Sequence, residues 1–457
     1  MILNKDSLLE HGEIEARRKI LEILEAGLKA ADPSTAVRKS MSIHEEKLFI
    51  SPGDLRLSLS DYRKIIVVGA GKASGGMAEA LEEILSEKIE CGLVIVPRGY
   101  SRKYSCRKIR LVEADHPVPS PRNVVAAEEL LNLVESNARP DTLIICLISG
   151  GGSALLTKPR GKLELDDIRL LTELLLKSGA NIVEVNTVRK HLSEVKGGFL
   201  AKRAFPATVL SLIISDVVGD PIEYIASGPT APDPSTFKDA VEVLKRYGFW
   251  ESVPSSVRNF LEKGVRGEVD ETPKPGDPIF ERVFNVIVAS NRISLNKMAE
   301  KARELSLNVL MLTSFLEGEA RHVGRVLASI AKEARFYGEP VSRPCAILAG
   351  GETTVTVVGK GKGGRNQELV LGFALGVKSV SDVAFASLGS DGIDGVTDAA
   401  GAVCDGQTVD RGLATGLDPY AYLSENNTYE YFKSLDDLIF TGPTGTNVND
   451  LSVAVIL

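Results

Sequence analysis

Apolar residues fall along this chain in two rhythms. Near the N-terminus Ile20, Leu21, Leu24 and Leu28 recur at helical spacing, and Pro33 closes the segment. This predicts an amphipathic helix ahead of the first strand, its apolar stripe laid across a sheet. Runs that are apolar at nearly every position follow, at residues 64–69, 92–96, 142–149 and 208–215. Strands without polar alternation belong in a parallel sheet covered on both faces. Between them Met77 to Leu85 and Asp166 to Lys177 return to helical spacing, which gives the βαβ alternation of a three-layered α/β domain.

From Gly264 to Pro278 the pattern breaks into GVRGEVDETPKPGDP, rich in Pro, Gly and charge. This composition predicts a linker. Residues 1–277 are therefore expected as a parallel-sheet α/β domain with glycine-rich loops, and residues 278–457 as a second, mixed α/β domain. Strands of the second are expected near residues 285–289, 308–313, 345–349, 353–358, 383–388 and 452–456. Because Thr353 to Val358 (TTVTVV) alternates polar and apolar, an antiparallel or half-exposed piece is expected to interrupt that sheet.

Totals narrow the function. A chain of 457 residues exceeds what one core usually organises, and two-domain chains commonly place ligands between domains. With Lys+Arg 54 against Asp+Glu 61 the net charge is −7, which argues against nucleic acid as a partner. Five scattered cysteines form no metal knuckle, and Cys146 and Cys345 sit in strand-like runs as small hydrophobes. The opening MILNKDSLLEHGEIEARRK lacks the apolar core of a signal peptide, and no stretch approaches membrane-spanning length. A cytoplasmic protein that does not engage a membrane is the expectation.

Chemistry-bearing residues cluster after the strand-like runs. Gly69-Ala-Gly71-Lys72-Ala-Ser74-Gly75-Gly76 follows the first of them and opens a helix. Free N–H groups at a helix start, with the ammonium of Lys72, make an anion site. The spacing fits neither a Walker A loop nor a strict dinucleotide fingerprint. A tight strand-to-helix turn with a solvated lysine is the alternative. Ser149-Gly150-Gly151-Gly152-Ser153 follows a second apolar strand; three consecutive glycines are entropically costly and suit a phosphate cradle. Asp216 ends a third such strand, where a carboxylate can hold Mg²⁺, take a proton, or simply cap a turn. Arg189 and Lys190 belong to a basic helical stretch that could equally be a solvated face, and His116 precedes a proline-containing turn.

Further on, GKGGRNQE places Arg365 beside glycines at the start of an apolar helix, suited to planar recognition of carboxylate or phosphate or else to a solvated turn. The run from Ser390 to Asp398 contains Asp391, a carboxylate for Mg²⁺ or a member of an Asx-turn series.

Taken in order, GAGKASGG, EADHPVP, ISGGGSALL, NTVRKHLSEVKGG, ISDVVGD, SGPT, GGETTV, GKGGRNQE and SDGIDGVTDAAGA resemble the class II glycerate 2-kinases, the MOFRL family, over almost the whole chain. The resemblance implies a Rossmann-like first domain, a distinct second domain, an active-site cleft between them, and transfer of the γ-phosphoryl of ATP to D-glycerate with Mg²⁺. By matching motif it implies Lys72, Asp216 and Arg365 as catalytic residues. Gly69, Gly71, Ser74, Gly75, Gly150, Gly151, Gly152 and Ser153 are expected around ATP. His116, Arg189 and Lys190 are expected at the substrate, and Asp216 and Asp391 at the metal. A hydroxypyruvate reductase and a non-catalytic phosphosugar-binding module are the rival readings, and the oligomeric state is left open.

Overall fold

The computed structural model describes residues 1–457. Fifteen strands form three sheets. A small antiparallel sheet is built by β1 (Met41–His44), β2 (Lys47–Ile50) and β3 (Leu55–Ser58). The first large sheet contains β4 (Lys64–Ala70), β5 (Ile89–Pro97), β6 (Ile109–Ala114), β7 (Thr142–Ile148), β8 (Thr208–Ile214) and β9 (Val283–Ala289), in the order β6-β5-β4-β7-β8-β9. Pairings from β6 through β8 are all parallel. β4, β7 and β8 are buried along nearly their whole lengths, as their unbroken apolar runs require. One face of this sheet, with Ile66, Val68, Ile144 and Cys146, packs on Ala127, Leu130 and Val134 of the helix Pro121–Ser136. A separate apolar cluster joins the helices Leu165–Lys177, Ile182–His191, Phe237–Arg246 and Ser255–Val265.

The second large sheet is mixed. It contains β10 (Asn308–Leu316), β11 (Cys345–Gly351), β12 (Val383–Gly389), β13 (Gly401–Asp405), β14 (Leu438–Ile439) and β15 (Asp450–Ile456), in the order β10-β11-β15-β12-β13-β14. β10 and β11 are parallel, and every other pairing is antiparallel. Along β15, Leu451, Val453 and Val455 face one core while Ala454 and Ile456 face the other, the two-residue period of a strand covered on both sides.

Two compact units result: Pro33–Val288, and Met1–Asp32 with Ala289–Leu457. This corrects the 1–277 and 278–457 division at both ends. The N-terminal amphipathic helix does form, over Ile14–Ala31, but it packs on the second large sheet, where Ile20, Leu21 and Leu24 meet Leu451 and Val453. Arg17 fixes it there, fully buried, with Nε 2.6 Å from Asp405 and Nη1 2.6 Å from Asp437. β9, expected in the second series, is an edge of the first sheet. The Pro/Gly-rich stretch is no free linker either, because Thr272 is buried and donates to Asp233 at 3.0 Å, and the Pro273 carbonyl accepts from the Asp233 N–H.

Thr353 to Val358 is not a strand. Its only ladder contact is an isolated bridge from Thr354 to Glu319, Thr356 donates to the Glu319 carboxylate, and Val357 and Val358 are exposed. Alternation supplies a face for a strand but not a neighbour with free backbone groups. β6, β13 and the small sheet were not legible, being short or mixed in polarity. No helix of the chain is long and apolar enough to cross a membrane.

Candidate active site

Parallel strands direct all their C-terminal ends to one side of a sheet, so the loops leaving β4, β7 and β8, three adjacent strands, emerge together. Those loops are laced to one another. The Lys72 N–H donates to the Gly150 carbonyl at 2.9 Å, the Ala73 N–H to Ser149 Oγ at 3.1 Å, and the Ser149 N–H to the Ala70 carbonyl at 3.3 Å. The two glycine loops thus form one structure.

Glycine is required there by neighbouring protein as much as by any ligand. At Gly71 (φ +153°) a Cβ would lie 2.0 Å from Ser149 Oγ, and at Gly150 it would lie 2.2 Å from Asp216 Oδ2. The second contact sets the Asp216 carboxylate directly against the triple-glycine loop. Gly151 (φ +80°) has the His116 ring 3.0 Å and Lys72 Cγ 3.2 Å from the place of a Cβ. Lys72, His116 and Gly151 therefore meet at one corner, with Asp216 beside the preceding glycine. Burial and the Lys72 charge push the His116 imidazole down to about 4, so it is neutral at physiological pH.

Some expected ligand contacts are interior. Ser74 is fully buried and donates to the Leu147 carbonyl at 3.0 Å, while Gly69, Gly75 and Gly152 face the Leu147 backbone, the Tyr104 ring and the Ala226 side chain. The helix Ser74–Leu85 turns its first residues, Ser74 and Gly75, inward, whereas Gly69 lies within β4 and Gly152 opens the short helix Gly152–Leu155.

A cavity of about 660 Å³ opens from this corner, and His116, Gly151, Ser153, Arg189 and Lys196 line it. Arg189 Nη2 donates to the Ser153 carbonyl at 3.1 Å, and Lys196 Nζ to the Ser153 and Leu156 carbonyls at 2.7 and 2.9 Å. Burial lowers the Arg189 guanidinium to about 10; burial and the neighbouring Arg189 charge hold the Lys196 ammonium well below its ordinary value. No carboxylate offsets burial in either group, so the pair is suited to an anion. Lys190, expected beside Arg189, does not reach the cavity. It is 2% exposed, its Nζ is 3.3 Å from Asp233 Oδ1, and it lies over the Tyr224 ring. Helical geometry explains this, since consecutive residues point about 100° apart. Lys196, beyond the end of that helix, was the residue missed; the only trace of it in the sequence was its place in the same basic run.

In the other unit, Arg365 is the first residue of the helix Arg365–Gly376. Its guanidinium holds Asp450 bidentately, at 2.7 and 3.0 Å, and also bonds Glu352. Asp394 caps the same helix, accepting from the N–H groups of Asn366 and Gln367 at 3.0 and 2.9 Å. Burial raises the Asp450 carboxyl to about 7 against the opposing pull of Arg365, whose own value is raised because the attraction of Asp450 and Glu352 exceeds its desolvation. Asp391 closes an Asx turn, its Oδ1 accepting from the Ile393 N–H at 3.0 Å. Neither unit assembles three metal-ligating carboxylate, histidine or cysteine side chains.

Comparison with known proteins places these features in a lineage. Residues 19–262 match a domain of unknown function, DUF4147, and residues 345–450 match the MOFRL family. A glycerate 2-kinase of Pyrococcus horikoshii is 43% identical over 95% of this chain and 96% of its own length. The chain belongs to the class II glycerate 2-kinases, the MOFRL family. The crystal structure of a glycerate kinase from Thermotoga maritima superposes with a TM-score of 0.86 at 39% identity, covering 96% of this chain and 99% of that one. An Agrobacterium vitis protein provisionally named a hydroxypyruvate reductase is 42% identical over 97% of this chain and 95% of its own. The DUF4147 match spans the laced glycine loops and the cavity, and the MOFRL match spans the Arg365 network and ends at Asp450.

Proposed function

We infer that this chain is a kinase that transfers the γ-phosphoryl of ATP to the 2-hydroxyl of D-glycerate, giving 2-phosphoglycerate and ADP. The observation that carries the inference is identity of 43% to a glycerate 2-kinase along nearly the full length of both chains. In the reaction the glycerate oxygen bonds to the γ-phosphorus, the bond to the bridging oxygen of ADP breaks, and the hydroxyl proton departs. Such transfer depends on positioning and on positive charge around the phosphoryl oxygens. Lys72 is proposed to supply that charge, and Asp216 to accept the proton or orient the metal. Arg365 is the second proposed catalytic cation, freed for substrate to the extent that Glu352 lets go of it. His116, Arg189 and Lys196 are proposed to seat anionic groups of the substrates, a carboxylate of glycerate or a phosphate of ATP.

The carboxylates of Asp216 and Asp391 are the proposed protein ligands for Mg²⁺, which when bound neutralises phosphate charge. Hard oxygen donors fit this ion, and a site of one or two carboxylates is its usual protein share, the rest coming from water and phosphate. A cytoplasmic location completes the proposal.

Purified protein with ATP, Mg²⁺ and D-glycerate should release ADP, and phosphorus NMR should show the 2-phosphate. A 3-phosphate product would overturn the regiochemistry. NADH oxidation with hydroxypyruvate and no phosphoryl transfer would favour the reductase reading, against which stand the off-spacing glycines and Lys72.

A further inference from the structure

The cavity of about 660 Å³ is large for glycerate alone. Pockets of several hundred cubic ångströms bury drug-sized molecules, and glycerate is a small acid with an oxygen on every carbon. The walls are also of two kinds. Arg189 and Lys196 form a cationic end that no carboxylate offsets, and Arg189 Nε is buried there without a hydrogen-bond partner. The remainder is mostly apolar, with Val118, Pro119, Ile168 and Leu176, and its polar side chains include Glu173 and Lys177, which pair with each other. Val118 and Leu176 are 61% and 62% exposed, and both stand on this cavity, where a bound apolar group would cover them. A polar acid gains nothing from such walls. A nucleotide matches both halves, having a base with apolar faces at one end and a polyanion at the other.

We propose that the apolar half of this cavity, walled by Val118, Pro119, Ile168 and Leu176, seats the base of the adenine nucleotide. The phosphate chain then runs past Ser153 and the two cations toward Gly151 and Lys72. This rests on the kinase reading and supplies its missing base-binding residues. The helix Leu165–Lys177 carries two of the four walls, so nucleotide selectivity resides in that helix and in the turn after His116.

Val118→Asp and Leu176→Asp test the proposal, because both residues are exposed enough for the variants to fold. ADP and inorganic tripolyphosphate, which has no base, are titrated calorimetrically into each protein without glycerate, and KM values are measured for ATP and for glycerate. The expected result is ADP affinity and KM for ATP weakened about tenfold or more, the scale of losing apolar contacts in a pocket. Tripolyphosphate affinity and KM for glycerate should stay within about twofold of wild type. Unchanged ADP affinity in both variants, or a KM rise confined to glycerate, would overturn the base site. Failure of the kinase reading is distinguishable, since wild-type protein would then bind ADP without turning over glycerate.

Discussion

The glycine-lysine corner around Lys72 and the glycine-arginine turn around Arg365 look alike as sequence: glycines, one cation, the start of a helix. Their electrostatics are opposite. At the first corner Lys72 stands by a neutral His116, and the cations lining the adjacent cavity, Arg189 and Lys196, bond to carbonyls rather than to carboxylates. At the second, Arg365 is gripped by Asp450 and Glu352 while Asp394 occupies the helix N-terminus. The first arrangement waits for an anion; the second has already satisfied its cation internally. A shared motif grammar therefore fixes where a charge stands, while residues distant in sequence decide whether that charge is available.

Substitution separates the two. Lys72→Ala should lower kcat on the order of 10²-fold or more, the scale for one preorganised electrostatic partner, with little change in Tm. Arg365→Ala should lower kcat on a similar scale, on the order of 10²-fold. It should also cost about 1–3 kcal/mol of stability in urea titration, because the largely buried Asp450 loses its bidentate partner. Equal stability in the two variants would erase the contrast. A double variant then reports whether the two cations act in one step: losses that multiply indicate independence, and a shortfall indicates coupling.

Gly151→Ala forces a left-handed φ on an L-residue and crowds His116 and Lys72. It should cost about 1 kcal/mol of stability and lower kcat/KM more than that strain alone accounts for. The smallest effect concerns pH. With His116 near 4 when folded and about 6.5 when unfolded, the unfolded chain binds more protons between those values. Stability should therefore fall as pH drops from about 6.5 toward 4, and His116→Gln should flatten that part of the curve. Above pH 6.5 the two proteins should run parallel, as His116 is neutral in both states.

Much of this architecture could be read from local pattern. Unbroken apolar runs marked β4, β7 and β8 and placed Lys72, Gly151 and Asp216 just after strand ends; that the three strands are neighbours is seen only in the fold. Long-range pairing could not be read. Nothing in Ile20, Leu21 or Leu24 indicates that their stripe meets Leu451 rather than the nearer sheet, and nothing in VFNVIVA assigns β9 to the sheet before it. Lys190 and Lys196 illustrate the same limit in the site. Both are basic residues of one run, but only the fold determines that the former turns to Asp233 and the latter into the cavity.

The position of β15 governs the order of assembly. It follows every other strand of this sheet in the sequence, yet it lies between β11 and β12, and those two strands meet only through it. This sheet therefore cannot close until residues 450–456 have been made, and the helix Ile14–Ala31 waits through the intervening chain to find its complete core. Residues 33–288 are contiguous and can fold as they emerge. Newly made protein passes through an interval in which residues 33–288 are complete and the second large sheet is still an open pair of half-sheets with its apolar faces uncovered.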